Sequence, residues 1–338
     1  MATSLAEIRA KLKAQEDRST GGGSKGGDKS IYRHWDIAEN TTARIRLLPD
    51  GNTSNSYFWV ERLQIKLPFP GVKGQPNSKP VTVQVPCVEM YGPGNNCPIL
   101  AEVRTWFKDP ALEDMGRKYW KKKSYLFQGF VRDNPLADDV TPANPIRRFV
   151  MGPQLFNIIK SALMDPELEN LPTDFQAGLD FQISKTAKAN YADYTTSKWS
   201  RKESALTALE QAAIDEHGLF DLSTFLPKQP GEVELKVIKE MFEASVDGQP
   251  YDLERWGKYY KPFGLGDSNA ADADAVDADA TPVAATPAPR QAPKAAPAPV
   301  VEADDDEVAA TAPVAKSGDS GKRAEDIIAL IRSRQNKK

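Results

Sequence analysis

The sequence predicts an α+β fold in which short strands form a small barrel with a few helices attached. Two observations predict it. Several short runs alternate apolar and polar residues between turn signals, and a few segments carry apolar residues at helical spacing. A third, an abrupt change of composition at Gly264, separates a tail from the folded body.

Residues 2–18 read as a short amphipathic helix. Thr3 or Ser4 can cap it, and Leu5, Ile8 and Leu12 fall on one stripe. Arg9, Lys11, Lys13 and Arg18 make it basic. The Gly/Ser run "STGGGSKGGDKS" then holds this helix away from the body, so residues 1–29 form an arm and linker. A tethered apolar stripe needs a partner to bury it, which marks the arm for protein–protein contact.

The body spans 30–263. "TARIRLLPDG" alternates and then turns at Pro-Asp-Gly, as a strand does. "SYFWVERLQIKLPF" and "KPVTVQV" read as further strands, and "SYLFQGFVRDNP" with "IRRFVMG" as a strand pair. "PQLFNIIKSALMD" has Pro153 near its start and apolar residues at helical spacing, so it is a helix. "LDFQISKTA" is a strand, followed by the polar aromatic stretch "NYADYTTSKW". "KESALTALEQAAIDEHG" and "EVELKVIKEMFEASV" are the later helices.

From 264 to 321 the chain is largely Ala, Pro and Asp, with too few large apolar residues to offset the entropy of ordering; it reads as disordered. Residues 322–338 regain Ile327, Ile328, Leu330 and Ile331, a short helix expected to fold on a partner.

The chain of 338 residues has a net charge of -3, which alone argues against a nucleic-acid binder. The charge is partitioned: residues 264–321 carry -8 and residues 322–338 carry +4, which leaves +1 on the body and arm. No run of eighteen apolar residues exists and the N-terminus lacks the apolar core of a signal peptide. Cys87 and Cys97 cannot make a disulfide framework, so a reducing cytosol is expected. There is no phosphate loop, no H-E-x-x-H and no G-x-S-x-G, and the chain is not expected to be an enzyme. His34 and Asp36 read as ordinary surface residues, and His217 as a cation at a helix end.

What recurs is cations beside rings. In "GRKYWKKKSYLFQGF", read as a strand, one face carries Lys121, Lys123, Tyr125 and Phe127, while Leu126 and Phe130 face the core. Lys122 completes the triplet. Arg44 and Arg46 share a strand face, Arg147 and Arg148 adjoin Phe149, and Tyr191, Tyr194 and Lys198 stand in the later polar segment. Cations that neutralise phosphates beside rings that stack on bases are the ingredients of a single-strand site. The lysine triplet alone also suits an edge strand guarded against aggregation.

The order of these segments, with "CVEMYGPGNNCP", "KKKSYLFQGFVRDNP" and "RRFVMGPQLFNIIKSAL" as its most specific parts, resembles the single-stranded DNA-binding, helix-destabilising proteins of T-even-type phages. The resemblance covers roughly residues 2–205 and the acidic character of the tail. It implies an oligonucleotide-binding barrel with an attached helical and β subdomain. It also implies cooperative coating of single-stranded DNA during phage replication, recombination and repair, in the cytoplasm of an infected host cell. The basic arm would dock on a neighbouring copy, and the tail would compete with DNA and recruit replication and recombination proteins. Arg46, Lys121, Lys122, Lys123, Tyr125 and Tyr194 match family positions expected to contact DNA. In that family a histidine and three cysteines hold a structural zinc. Here Leu100 stands in place of the last cysteine and no histidine lies between His34 and Cys87, so no metal or other cofactor is expected. Alternatives left open are an RNA-binding protein or RNA chaperone with the same barrel, since sequence does not reveal 2′-hydroxyl contacts, and a non-catalytic scaffold or virion protein.

Overall fold

Alternation along "TTARIRLL" places Ala43, Ile45 and Leu47 on one side of strand β1 (Thr41–Leu48), and all three are buried. The computed structural model describes residues 30–262 apart from 76, 93, 137–141 and 189–190. The arm residues Leu5, Ile8, Arg9, Lys11 and Lys13 and the terminal Ile327, Ile328, Leu330 and Ile331 lie outside the described residues. So does the acidic tail.

β1 is joined by β2 (Val60–Phe69), β3 (Val81–Pro86), β4 (Lys122–Asp133), β5 (Arg147–Met151), β6 (Leu179–Lys188), β7 (Tyr191–Asp193) and β8 (Lys198–Glu203). All eight pair antiparallel in the order β3-β2-β4-β1-β6-β7, with β5 added to β4 and β8 to β6. The fold is therefore α+β, as the alternating runs predict. Among the described residues the pairings do not close a ring: β3 and β7 end the path.

The long strand β4 organises the sheet. Its first half pairs with β2 (Leu126 opposite Val60) and its second half with β1 (Phe130 opposite Arg46), while β5 covers its other edge. A central strand is covered on both faces, and every residue from Ser124 to Phe130 is buried. Tyr125 and Phe127 enter the main core with Ile45, Leu47, Phe149, Phe181 and Ile183. Leu126 packs with Ile31, Trp35 and Val150, and Phe130 with Leu48, Ile146 and Leu206. The expected outward row of Tyr125 and Phe127 is thus corrected: period two assumes one wet face, and β4 has none there.

Six α-helices lie among the described residues: α1 (Pro98–Trp106), α2 (Glu113–Tyr119), α3 (Pro153–Leu163), α4 (Ala208–His217), α5 (Glu232–Val246) and α6 (Leu253–Trp256). α3 starts at Pro153, as Pro at a first helical turn allows, and buries Leu155, Phe156 and Ile159 against the main core. Thr207 and Glu210 form a capping box on α4, and His217 ends it. α1, α2 and α5 build a helical layer against β2: Trp106 stacks on Phe242 at 5.7 Å, and the Ser245 hydroxyl bonds the Tyr119 hydroxyl and donates to the Pro68 carbonyl. α2 takes the first four residues, Gly116–Tyr119, of the segment expected to be strand, and β2 begins at Val60, so "SYFW" belongs to the preceding loop. No described helix is long and apolar enough to cross a membrane.

Candidate nucleic-acid interface

The face of β1, β6 and β8 opposite the main core is polar. Directly opposed residues of an antiparallel pair project to the same side. The pairing therefore sets Asp133, Arg44, Gln182 and Lys198 in one row across β4, β1, β6 and β8. Thr42 and Ser184 form the next row, joined through their hydroxyls at 2.8 Å. Further along β6, Lys188 stands opposite Tyr191 of β7. Lys188, Lys198, Arg201 and Lys202 are exposed, Tyr191 is 40% exposed, and the Arg44 side chain is 49% exposed with Nε 3.8 Å from Asp180. From Gln182 to Lys188 the face runs roughly 20 Å at the usual strand rise. Arg44, Tyr191 and Lys198 are thus brought together as cation, ring and cation on one surface. Gln182, Ser184 and Lys188 belong to the same face. Their signal was the alternation of Gln182 and Ser184 with Phe181 and Ile183.

Arg46 shares the parity of Arg44 but is wholly buried. A register shift between Arg44 and Ile45 leaves Arg132 as the extra residue of a bulge in β4. Arg132 donates to Asp180 at 2.7 Å, to both oxygens of Glu210 and to the Ser204 hydroxyl. Arg46 donates to the same Ser204 hydroxyl and to the Asp174 carbonyl, with Asp180 3.7 Å away. Burial, then repulsion from Arg132, lowers the Arg46 pKa, and Asp180 and Glu210 oppose that shift. A side-chain Cβ at Gly178 would collide with the Arg46 guanidinium, so the loop before β6 closes over it. Arg46 is a buried cross-strand tie, which corrects its expected outward position.

Other expected positions are also inside. Tyr125 stacks on Phe156 at 3.5 Å and 8°, so Phe156 occupies the ring face a base would need. Phe127 and Tyr194 are in the main core, with Tyr194 edge-on to His34 at 5.7 Å. The Arg148 guanidinium is buried 3.8 Å over Phe225, and Arg147 is half-buried near Tyr32. These are corrections of one kind: β4, β5 and the turn after β7 lie under α3 or the chain around Tyr32–Trp35. Lys121, Lys122 and Lys123 are half-buried at the β4 start, where Lys121 pairs with Glu89 at 3.3 Å. They lie at the opposite end of β4 from Asp133, roughly 35 Å away along the strand. The cation clusters therefore do not converge on one site.

His34 is a core residue rather than a surface one. Burial holds its pKa down at about 4, against a hydrogen bond with the Tyr32 backbone that raises it and a nearby Lys185 that lowers it. Cys87 and Cys97 are buried, free and hydrogen-bonded to each other. The Cys87 contact, aided by backbone N–H groups of Leu100 and Ile99 at the α1 start and of Val88 beside Cys87, pulls Cys97 down to about 6 despite burial. The same contact and burial push Cys87 up. Two sulfurs are half of a tetrahedral zinc set, and the described residues gather no group of three or more His, Cys, Asp or Glu.

No protein-family model matches the chain, and no curated protein matches it.

Proposed function

We propose that this chain is a non-catalytic single-stranded DNA-binding protein that coats and protects DNA cooperatively during phage replication, recombination and repair. The observation that carries the reading is the polar face of β1, β6, β7 and β8, where Arg44, Lys188 and Lys198 stand with Tyr191 on the reverse of the core. Exposed cations beside a ring supply phosphate contacts and a stacking surface without base-specific hydrogen bonds. Self-association through the arm and recruitment of replication proteins through the tail belong to the same proposal, and rest on the resemblance of segment order to T-even-type phage proteins.

Fluorescence anisotropy with oligo(dT), its duplex and oligo(U) in rising salt tests it. Single-stranded DNA should bind most tightly. Arg44→Ala with Lys198→Ala should weaken binding to every sequence and flatten the salt slope by roughly 0.7 per lost phosphate contact. Binding to no nucleic acid, or equal binding to duplex, would sink the proposal; tighter binding to oligo(U) would move it to RNA.

A further inference from the structure

The loop between β1 and β2 carries rings that the sheet face does not use. Asp50 accepts the backbone N–H groups of Leu222 at 3.0 Å and Asn52 at 3.1 Å. Its other oxygen accepts from the Asn55 amide at 2.7 Å, and that amide also donates to the Trp59 carbonyl. The Asn55 side-chain oxygen in turn accepts the Tyr57 N–H at 3.0 Å. The loop is therefore pinned on both sides of Tyr57 and tied to the chain at Leu222.

Its rings form a stair. Phe58 is buried against Phe127. Trp59 is half-buried, 5.4 Å from Phe156 and 6.0 Å from Phe127. Tyr57 lies 4.7 Å from Trp59 at 33° and is 60% exposed. Exposed loop tips with small or polar residues are the ones that tolerate change; here a large ring is held out by a loop pinned with five hydrogen bonds. Lys160 stands one helical turn beyond Phe156 on α3 and is exposed.

We propose that Tyr57, backed by Trp59, is a stacking platform for one unpaired base of a single-stranded nucleic acid, with Lys160 available to the adjoining phosphate. The inference rests on the proposed function and adds a site to it. A base inside a duplex has both faces covered by its neighbours, so only an unpaired base can take this position. Because every base has a π face, the contact tolerates sequence. Because the loop is already pinned, little ordering entropy is lost on binding.

The test uses the full chain and short oligo(dT) and oligo(U), below the length that seats two copies. Tyr57→Ala should weaken binding roughly five- to hundredfold, the range expected for one base–ring stack. Tyr57→Phe should restore it, and melting should not change, because the ring is exposed. Tryptophan emission should be quenched by oligo(dT), and less so in Trp59→Phe. Equal losses on both oligonucleotides fit a base contact; a loss on only one would tie the contact to the sugar or the thymine methyl and overturn the sequence-tolerant stacking assignment. Wild-type binding to oligo(dT) with no loss in Tyr57→Ala would overturn this inference and leave the proposed function standing. Absence of wild-type binding would remove both. An equal loss on duplex DNA would overturn the unpaired-base assignment.

Discussion

Acidification from pH 7 to pH 5 should destabilise the fold through His34. The imidazole is 2% exposed, with Trp35 edge-on at 5.2 Å and Tyr194 at 5.7 Å. The Lys185 ammonium, which donates to the Trp35 carbonyl at 2.6 Å, adds a cation nearby. Burial therefore holds the folded pKa at about 4, below the ordinary 6.5. As pH falls, the unfolded chain takes up this proton first. The stability contributed by neutral His34 is complete above about 6.5 and is lost as pH falls toward about 4. The full gap corresponds to roughly 3 kcal/mol, of which about 2 kcal/mol falls between pH 7 and pH 5. Urea unfolding of wild type and His34→Phe at both pH values isolates the effect, because other groups titrate in both proteins. The wild type should lose about 2 kcal/mol more than the variant over this interval. An equal loss in the two proteins would refute the assignment of a buried, neutral imidazole.

Three further outcomes follow from positions of expected site residues. Tyr125→Ala should cost about 3–5 kcal/mol of stability in urea melts, as for other large core aromatics, and leave affinity per folded molecule unchanged; a binding defect without a stability loss would return Tyr125 to the DNA surface. Arg46→Met should cost about 3 kcal/mol, the lower end for breaking a buried pair, since Asp180 keeps Arg132 at 2.7 Å. Its oligo(dT) affinity should match wild type, and lost affinity with intact stability would show a direct DNA contact. Deleting residues 264–338 removes segments of -8 and +4, and should tighten oligo(dT) binding most at low salt, where screening is weakest; an unchanged anisotropy curve would remove the competition role of the tail.

The strands and helices that were legible in sequence share a clear period. β1, β6 and α5 needed only alternation or helical spacing. α1 also carries a signal, Pro98 at the first turn with Ile99, Leu100, Val103 and Trp106 buried on one stripe, but the loop-like run before it hides its start. "SYFW" misled because its residues favour strands, while the Asp50–Asn55 hydrogen bonds that keep it a loop involve Leu222, far away in sequence. The candidate site was legible only in part for the same reason. Arg44 and Arg46 are equivalent by parity. What separates them is the chain from Pro172 to Gly178 lying over Arg46, a long-range fact that no local pattern contains. Tyr125 and Tyr194 show the complementary limit: a ring beside cations reads the same whether α3 covers it or not.

The thiol at the start of α1 makes the helical layer observable from within. Contact with Cys87 lowers the Cys97 pKa and favours its thiolate, yet the sulfur is enclosed. An aromatic disulfide reagent can react only when the α1 start opens away from the chain at Cys87 and Val88. The labelling rate therefore reads out the free energy of that local opening, separately from global unfolding. Following the rate with and without oligonucleotide would reveal whether occupancy of the distant sheet face tightens a layer it does not touch.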